Sequence, residues 1–219
     1  IYRQFLGGYG LGCKLIYDNT KSKYDPLGND AIFGFFPGLL TGTPAPFSGR
    51  YMVAGKSPLT GTWGDANSGG TFGPEIKNCG YAAILFKGIA EQPKYITIIN
   101  DDIGIHDASN LWGLDIIEAE NILKKKYGNF IKTAGIGQAG EKLSLISGIA
   151  NDKGRIAARS GIGAVMGSKN LKMLVLKGNN KLEYYDRKEF IDLVKIYNQK
   201  GTYKQPGFIT KSVINTIPK

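Results

Sequence analysis

Histidine and cysteine are nearly missing from this chain. Its 219 residues hold a single histidine, His106, and two cysteines, Cys13 and Cys79. One imidazole cannot build a His-rich metal centre. Two thiols so far apart give neither a metal-ligand spacing nor a disulfide framework, and this cysteine usage fits a reducing cytoplasm. No stretch is long and apolar enough to span a bilayer, and no secretory leader is visible. Acidic charge is short as well: 18 Asp and Glu stand against 28 Lys and Arg, a formal net charge of +10. Such an excess implies an anionic partner, with phosphates, nucleic acid and acidic proteins all admissible. No basic run reaches five residues. The densest, Lys124-Lys125-Lys126, reads as a solvated helix face. Methionine is absent at the start, where Ile1 opens onto a helix-like YRQFLGG, so the sequence reads as a fragment.

What is abundant is glycine, with 31 residues, and the 42% hydrophobic content is enough for a real core. The chain is organised around Ser48 to Gly88. That stretch holds a lone Arg50, a Gly-broken loop from Gly61 to Gly70, a helix-compatible run from Thr71 to Cys79, and a buried-looking strand from Ala82 to Phe86. Glycine lets backbone approach a ligand closely. Free amides running into a helix N-terminus suit an anion. Asn67, Ser68, Gly69 and Gly70 lie where such a loop would touch it, and a plain surface turn before a helix is the competing reading.

Along the rest of the chain, a Gly7-Gly8 break separates a helix end from a short helix through Leu11, Leu15 and Ile16. Cys13 is placed on its apolar face and Cys79 at a buried helix end, both as small hydrophobes. Strands are expected over Ala31–Phe36, Arg50–Gly55, Tyr95–Asn100, Ile131–Ile136, Leu143–Ala150 and Met173–Leu176. A turn at Glu91–Lys94 joins Ala82–Phe86 to Tyr95–Asn100 as consecutive strands. Asp115–Tyr127 is the best helix, with Ile116, Ala119 and Leu123 at helical period and Gly128 as its stop. Asn151–Ser160 reads as a polar, Arg-bearing loop, Gly161–Met166 as a short helix, and Arg187–Lys200 as an amphipathic helix with Phe190, Ile191, Val194 and Tyr197 on one side. The acidic pairs Asp101-Asp102 and Glu118/Glu120 read as solvated, and His106 falls in a turn-rich segment with a structural or exposed role. The absence of a strict βαβ rhythm gives an α+β fold with mostly antiparallel sheets and short helices.

Two segments echo each other. Ser68-Gly69-Gly70, Gly73, Lys77 and a strand ending Phe86-Lys87-Gly88 match Ser160-Gly161, Gly163, Gly167, Lys169 and a strand ending Leu176-Lys177-Gly178. Arg50 lies upstream of the first, and Arg155 and Arg159 upstream of the second. A duplicated unit with two anion loops suits a ligand with two similar halves. Gly161-Ile-Gly163-Ala-Val-Met-Gly167 is one residue off the dinucleotide fingerprint and follows a polar stretch, so a Rossmann reading is rejected. Gly8-Tyr-Gly10-Leu-Gly12 misses that spacing too, and no GxSxG, HExxH or P-loop is present.

Taken together, GGYGLGCKLIYD, LTGTPAPFSGRY, KSPLTGTWGDANSGGTFGPEIKNCGYAAI, IHDASNLWG and NDKGRIAARSGIGAVMGSKNLK resemble the N-terminal domain of the tungsten-containing aldehyde ferredoxin oxidoreductases. The resemblance runs from Gly7 to about Gly178. The family's IGPAGE appears as Ile136-Gly-Gln-Ala-Gly-Glu141, and its RAAGR as Arg155-Ile-Ala-Ala-Arg159. The resemblance implies a domain over residues 1–178, its first strands missing, followed at 179–219 by the start of a helical domain. It implies a duplicated α+β platform for a tungsten (or molybdenum) bis-pterin cofactor, the pterin phosphates sharing a magnesium ion. Asn67 and Ile156 would offer backbone carbonyls to the magnesium, and Gly69 would let a pterin approach. Arg155, Ala158 and Arg159 would line the second pterin. Arg50 would sit between a pterin and the [4Fe–4S] cluster, a bridging role that suits its planar fork.

The activity implied is oxidation of an aldehyde to a carboxylic acid by a cytoplasmic, homo-oligomeric enzyme, with electrons leaving to ferredoxin. The cluster ligands and catalytic acids lie outside this chain, and no nucleic acid or membrane is involved. A related acid or aromatic acyl-CoA reductase subunit is the alternative within the family. A non-enzymatic polyanion-binding module is the alternative outside it. The Gly and Arg residues gather about two loops rather than along a basic, aromatic-laced stripe, which argues against that module.

Overall fold

Asp115 begins the most regular helix of the chain, its carboxylate accepting from the amides of Ile117 at 2.7 Å and Glu118 at 2.9 Å. Gly128, at φ 93°, ends it in a conformation that favours glycine. The computed structural model describes residues 1–200 and divides the chain into two compact units, Ile1–Thr43 with Phe47–Leu182, and Pro44–Pro46 with the residues from Glu183 on.

The first unit opens with α1 (Tyr2–Phe5) and α2 (Gly8–Asn19), followed by β1 (Phe33–Pro37), β2 (Tyr51–Lys56), β3 (Trp63–Ser68), α3 (Phe72–Asn78) and β4 (Ile84–Phe86). Next come β5 (Lys94–Ile99), β6 (Asp102–Asp107), α4 (Ile116–Tyr127), β7 (Lys132–Gly135), α5 (Gln138–Glu141), β8 (Ile149–Asn151), β9 (Arg155–Ala157), α6 (Ile162–Ser168) and β10 (Leu171–Lys177). The second unit contains α7 (Arg187–Lys200), where Phe190, Ile191 and Val194 are half-buried, Tyr197 is exposed, and the Phe190 ring lies 5.1 Å from that of Tyr184.

Two sheets form. One has the order β3-β2-β1-β4 and the other β6-β5-β10-β7-β8-β9. Stripped of the β5–β6 hairpin, the second sheet reads β9-β8-β7-β10, the first sheet over again. In each, a strand pairs antiparallel with the next and with the strand that follows the short helix. The echo in sequence is thus a repeat in topology: α2-β1-β2-β3-α3-β4 followed by α4-β7-β8-β9-α6-β10, with α5 inserted. Only β5 and β10 run parallel among the described strands, so the fold is α+β with mostly antiparallel pairing.

Each repeat completes the other's core. The helix α3 packs on β1 of its own repeat and on β7 and β10 of the second, while α6 packs on β10 and on β1, β2 and β3 of the first. Phe33, Phe35, Phe72, Ile76, Val165, Met166 and Leu174 meet in one buried cluster. Burial on this scale contributes about 1.5–3 kcal/mol per large apolar side chain. Strand alternation sends Phe36, Met52 and Ala54 to the other face, where Ile16 of α2 covers them. Tyr95, Met173 and Val175 likewise meet Ala119 and Leu123 of α4. The layers therefore run α2, first sheet, α3 with α6, second sheet, α4. Polar links lock the two repeats reciprocally. Buried Glu75 accepts from the Gly178 amide at 2.8 Å and the Asn78 carbonyl from the Asn180 amide at 2.9 Å. On the opposite side Gly88 accepts from Lys169 Nζ at 3.1 Å, and the Ala90 amide donates to Lys169 O at 3.2 Å.

Several expectations are corrected. The span Gly61–Gly70 is not all loop, because Trp63–Ser68 pairs with β2 across its whole length. The loop Asn151–Ser160 contains β9, paired in a hairpin with β8. Leu143–Ala150 is strand only from Ile149. The residues Asp102 and His106 lie on β6, not in a turn. β4 and β5 are not hairpin partners: they sit in different sheets, and β4 is a half-exposed edge strand. Cys13 is exposed and only Cys79 is buried. Glu120 is buried rather than solvated, and is held by Lys124 Nζ and the Lys153 amide.

Candidate functional site

Edge strands β3 and β9 lie side by side, so the two glycine-arginine segments meet although they belong to different repeats. Three sets of hydrogen bonds define the approach. Ser160 Oγ donates to the Asp65 carbonyl at 2.8 Å. Asn151, with no exposed surface, accepts at Oδ1 from Tyr51 OH (3.0 Å) and Ser68 Oγ (2.7 Å), and donates from Nδ2 to the Gly69 carbonyl (3.0 Å) and to Asp152 Oδ2 (3.0 Å). All four hydrogen-bonding positions of that amide are filled. Burial pushes the Tyr51 phenol far above its usual range, so it remains a neutral donor at physiological pH.

The third set belongs to Asp152, whose carboxylate accepts from the Thr71 amide (2.6 Å) and the Thr71 hydroxyl (2.7 Å). Thr71 is the N-cap residue of α3. The helix end that the sequence offers to an external anion is therefore met by an internal carboxylate from the second repeat. What remains for a ligand is the arginine set. Arg50 Nε donates to Asn67 Oδ1 at 2.6 Å, and Asn67 Nδ2 donates to Tyr9 OH at 3.2 Å, which fixes the Asn67 side chain between β2 and α2. A Cβ on Gly69 would stand 3.6 Å from guanidinium nitrogens of both Arg50 and Arg155. The space between those two cations stays open because residue 69 has no side chain. Arg159, Ser160 and Gly161 follow one another at φ 69°, 43° and 71°. Successive left-handed residues cost free energy, and such strain gathers at ligand sites.

Arg50, Arg155 and Arg159 are exposed, and among the described residues none forms an ion pair with a carboxylate. Three uncompensated guanidiniums on two adjoining loops, with a side-chain-free gap between two of them, fit a ligand carrying several negative charges in two similar halves. No group of three or more His, Cys, Asp or Glu that could hold a metal exists among the described residues. Ile156 of β9 and Ala158, just after that strand, are exposed. His106 is elsewhere: it lies on β6, at the sheet edge opposite β9, stacked 4.9 Å from Tyr95 and with Nε2 2.9 Å from Thr97 Oγ1.

The structure brings Arg50, Asn67, Gly69 and Arg155 together, while Arg159 follows β9 on the adjoining segment. Tyr9, Tyr51, Asn151 and Asp152 complete the arrangement and were not singled out in sequence. Asn151-Asp-Lys-Gly154 after an apolar run was the available signal, since Asn, Asp and Gly are the residues that tolerate the positive φ of a tight hairpin. Asp152, Lys153 and Gly154 all adopt it.

Comparison with known proteins gives a consistent picture. The family model described as aldehyde ferredoxin oxidoreductase, N-terminal domain, matches residues 1–178. A tungsten-containing aldehyde ferredoxin oxidoreductase of Thermococcus kodakarensis is 44% identical over 194 residues, which is 88% of this chain and 32% of that protein. The Pyrococcus furiosus protein of the same name gives the same identity and coverage. An aliphatic sulfonate oxidoreductase, WOR-like subunit, of Pyrococcus furiosus is 33% identical over 213 residues, covering 89% of this chain and 34% of its own. The chain spans about a third of the length of the curated relatives it matches. Among solved structures, the active-site complex BamBC of benzoyl-coenzyme A reductase with 1,5-dienoyl-CoA superposes with a TM-score of 0.87 at 33% identity, over 93% of this chain and 32% of that one.

Proposed function

Since this chain belongs to the aldehyde ferredoxin oxidoreductase family through its N-terminal domain, we propose that it is the cofactor platform of an oxidoreductase that converts aldehydes to carboxylic acids. The single observation that carries this reading is the meeting of two Gly/Arg segments, one from each repeat, with three arginines unmatched by any carboxylate. A tungsten bis-pterin, or its molybdenum equivalent, is the two-halved polyanion that fits. When bound, that group would supply the two-electron oxidation of an aldehyde, with ferredoxin as the acceptor by way of a [4Fe–4S] cluster whose ligands are not among this chain's residues.

The chain's own residues bind and orient. Arg155 and Arg159 would hold the second half through charge-assisted hydrogen bonds, with Ala158 lining its site. Gly69 gives close passage to the first half. Asn67 and Ile156 would offer backbone carbonyls to a magnesium ion. Arg50, already oriented by Asn67, bridges toward the cluster. The following helical domain proposed for 179–219 has α7 as its described part, residues 201–219 lying outside the described residues, and the working enzyme is proposed to be a cytoplasmic homo-oligomer. The likeness to a benzoyl-coenzyme A reductase complex supports a second reading, in which the same platform serves the reduction of an aromatic acyl-CoA or an acid.

Arg50→Lys in the complete enzyme tests the platform. It removes the fork and one charge-assisted hydrogen bond worth roughly 1.5–3 kcal/mol. The expected result is at least about a tenfold loss in tungsten retention or aldehyde-dependent ferredoxin reduction. Full tungsten content with unchanged turnover would overturn the assignment.

A further inference from the structure

Resting on that reading, we infer that Asp152 is the positioning residue of the cofactor platform, the latch that fixes the distance and angle between its two loops. The carboxylate stands in the β8–β9 turn of the second repeat, yet both its oxygens are spent on the first: Oδ2 on the Thr71 amide at 2.6 Å, Oδ1 on the Thr71 hydroxyl at 2.7 Å. Asn151 holds it from behind at 3.0 Å and reaches the Gly69 carbonyl with the same amide nitrogen. The turn behind the latch is itself anchored, since the Lys153 amide donates at 3.3 Å to the buried Glu120 of α4. A continuous polar connection therefore runs from α4, through the turn, to the N-terminus of α3.

Two features mark this as a device for positioning rather than ordinary capping. Asp152 and Lys153 are held at φ 46° and 59°, a conformation that costs free energy in non-glycine residues and that the hydrogen bonds must offset. The fit is also close: a Cβ on Gly70 would lie 1.9 Å from Asp152 Oδ2 and 2.8 Å from the Arg155 side chain. Residue 70 is thus glycine so that the carboxylate can reach Thr71 past it, with Arg155 alongside. Both Asp152 oxygens are engaged by neutral donors and no ion pair joins Asp152 to Arg155, so the Arg155 guanidinium keeps its own donors for an anion. Releasing the latch would leave every proposed ligand-binding side chain in place and change only their mutual geometry.

The test uses the complete, cofactor-loaded enzyme with Asp152→Asn. Asparagine tolerates the left-handed backbone of this turn, so the substitution removes the charge and one acceptor and leaves the conformation allowed. We expect exchange of the Thr71 amide to speed up roughly tenfold or more, the loss of one charge-assisted hydrogen bond. The Leu123 amide of α4 should be unchanged, and tungsten content should fall or the paramagnetic resonance spectrum of the tungsten centre should shift. Wild-type tungsten content with an unaltered spectrum overturns the latch, however fast Thr71 exchanges, because the carboxylate would then be a cap and nothing more. Faster exchange at Leu123 would mean general loosening. In that case Thr71→Ala, which keeps the amide and deletes only the hydroxyl donor, decides: a shifted spectrum sustains the latch and an unshifted one overturns it. Wild-type enzyme isolated without any tungsten or molybdenum would overturn the parent reading and this role together, a failure distinct from that of the latch alone.

Discussion

Two thiols with opposite surroundings give the clearest expectations for single residues. Cys79 is buried, its Sγ directed at the Ile98 carbonyl, and burial together with the nearby Glu75 pushes its pKa up to about 12. Cys13 is exposed on α2, its thiol raised by partial burial and by Asp65. Native chain should therefore titrate one thiol with Ellman's reagent near pH ~8 and a second only after denaturation, and Cys13→Ser should abolish the native reaction. Buried Lys169 gives a pH dependence. Desolvation, reinforced by Lys87, lowers its pKa from 10.5 to about 8. Between those two values the unfolded chain binds more protons than the folded one, so the wild type gains stability as pH rises from 8 to 10.5. Lys169→Met lacks that titration. The stability difference between the two proteins should shift toward the wild type across this window, and a constant difference in urea melts would refute the idea. At this scale the sequence was legible where charge met glycine, as at Arg50, Gly69 and Arg155. It was not legible at Asn151, because a buried amide that satisfies four partners carries the same letter as one in a surface turn.

At the scale of elements, the strands that went unread are all at or next to sheet edges. β3 is WGDANS, whose buried positions are the small Gly64, Ala66 and Ser68, and β6 is DIGIHD, whose isoleucines are exposed, so neither offers the alternation of large buried side chains that reveals a strand. β9 is three residues long. Helix α4, by contrast, carried a cap, a period and a stop in its own sequence. The repeat was visible as a rhythm of Ser-Gly, short helix, strand and Lys-Gly, but the crossing of each helix onto the other repeat's sheet was not, since no local pattern encodes a distant partner. That crossing has a sensitive point at Gly178, where an added Cβ would lie 2.1 Å from the Asn78 carbonyl carbon and 2.3 Å from the Cys79 nitrogen. Both obstacles are backbone and cannot rotate away. Gly178→Ala should destabilise the first unit by about 3 kcal/mol or more, read from chemical denaturation, through forced separation of β10 from α3. A loss below about 1 kcal/mol would show that the interlock yields easily.

At the scale of the whole molecule, part of the net charge of +10 resides in three exposed arginines on the adjoining segments of the two repeats. Composition carried the excess of positive charge, and only the topology showed that the fold is built of two repeats. The reciprocal packing of α3 and α6 has one more consequence, which concerns time rather than space. The first repeat is fully synthesised when β4 ends at Phe86, yet its Phe33, Phe35 and Phe72 are covered in part by residues up to Leu176 of β10. A ribosome adding about 5–20 residues per second needs between roughly 5 and 20 seconds to supply them. Throughout that interval the growing chain presents an unfinished aromatic surface to the cell. Its biogenesis therefore falls within the reach of chaperones that bind nascent chains.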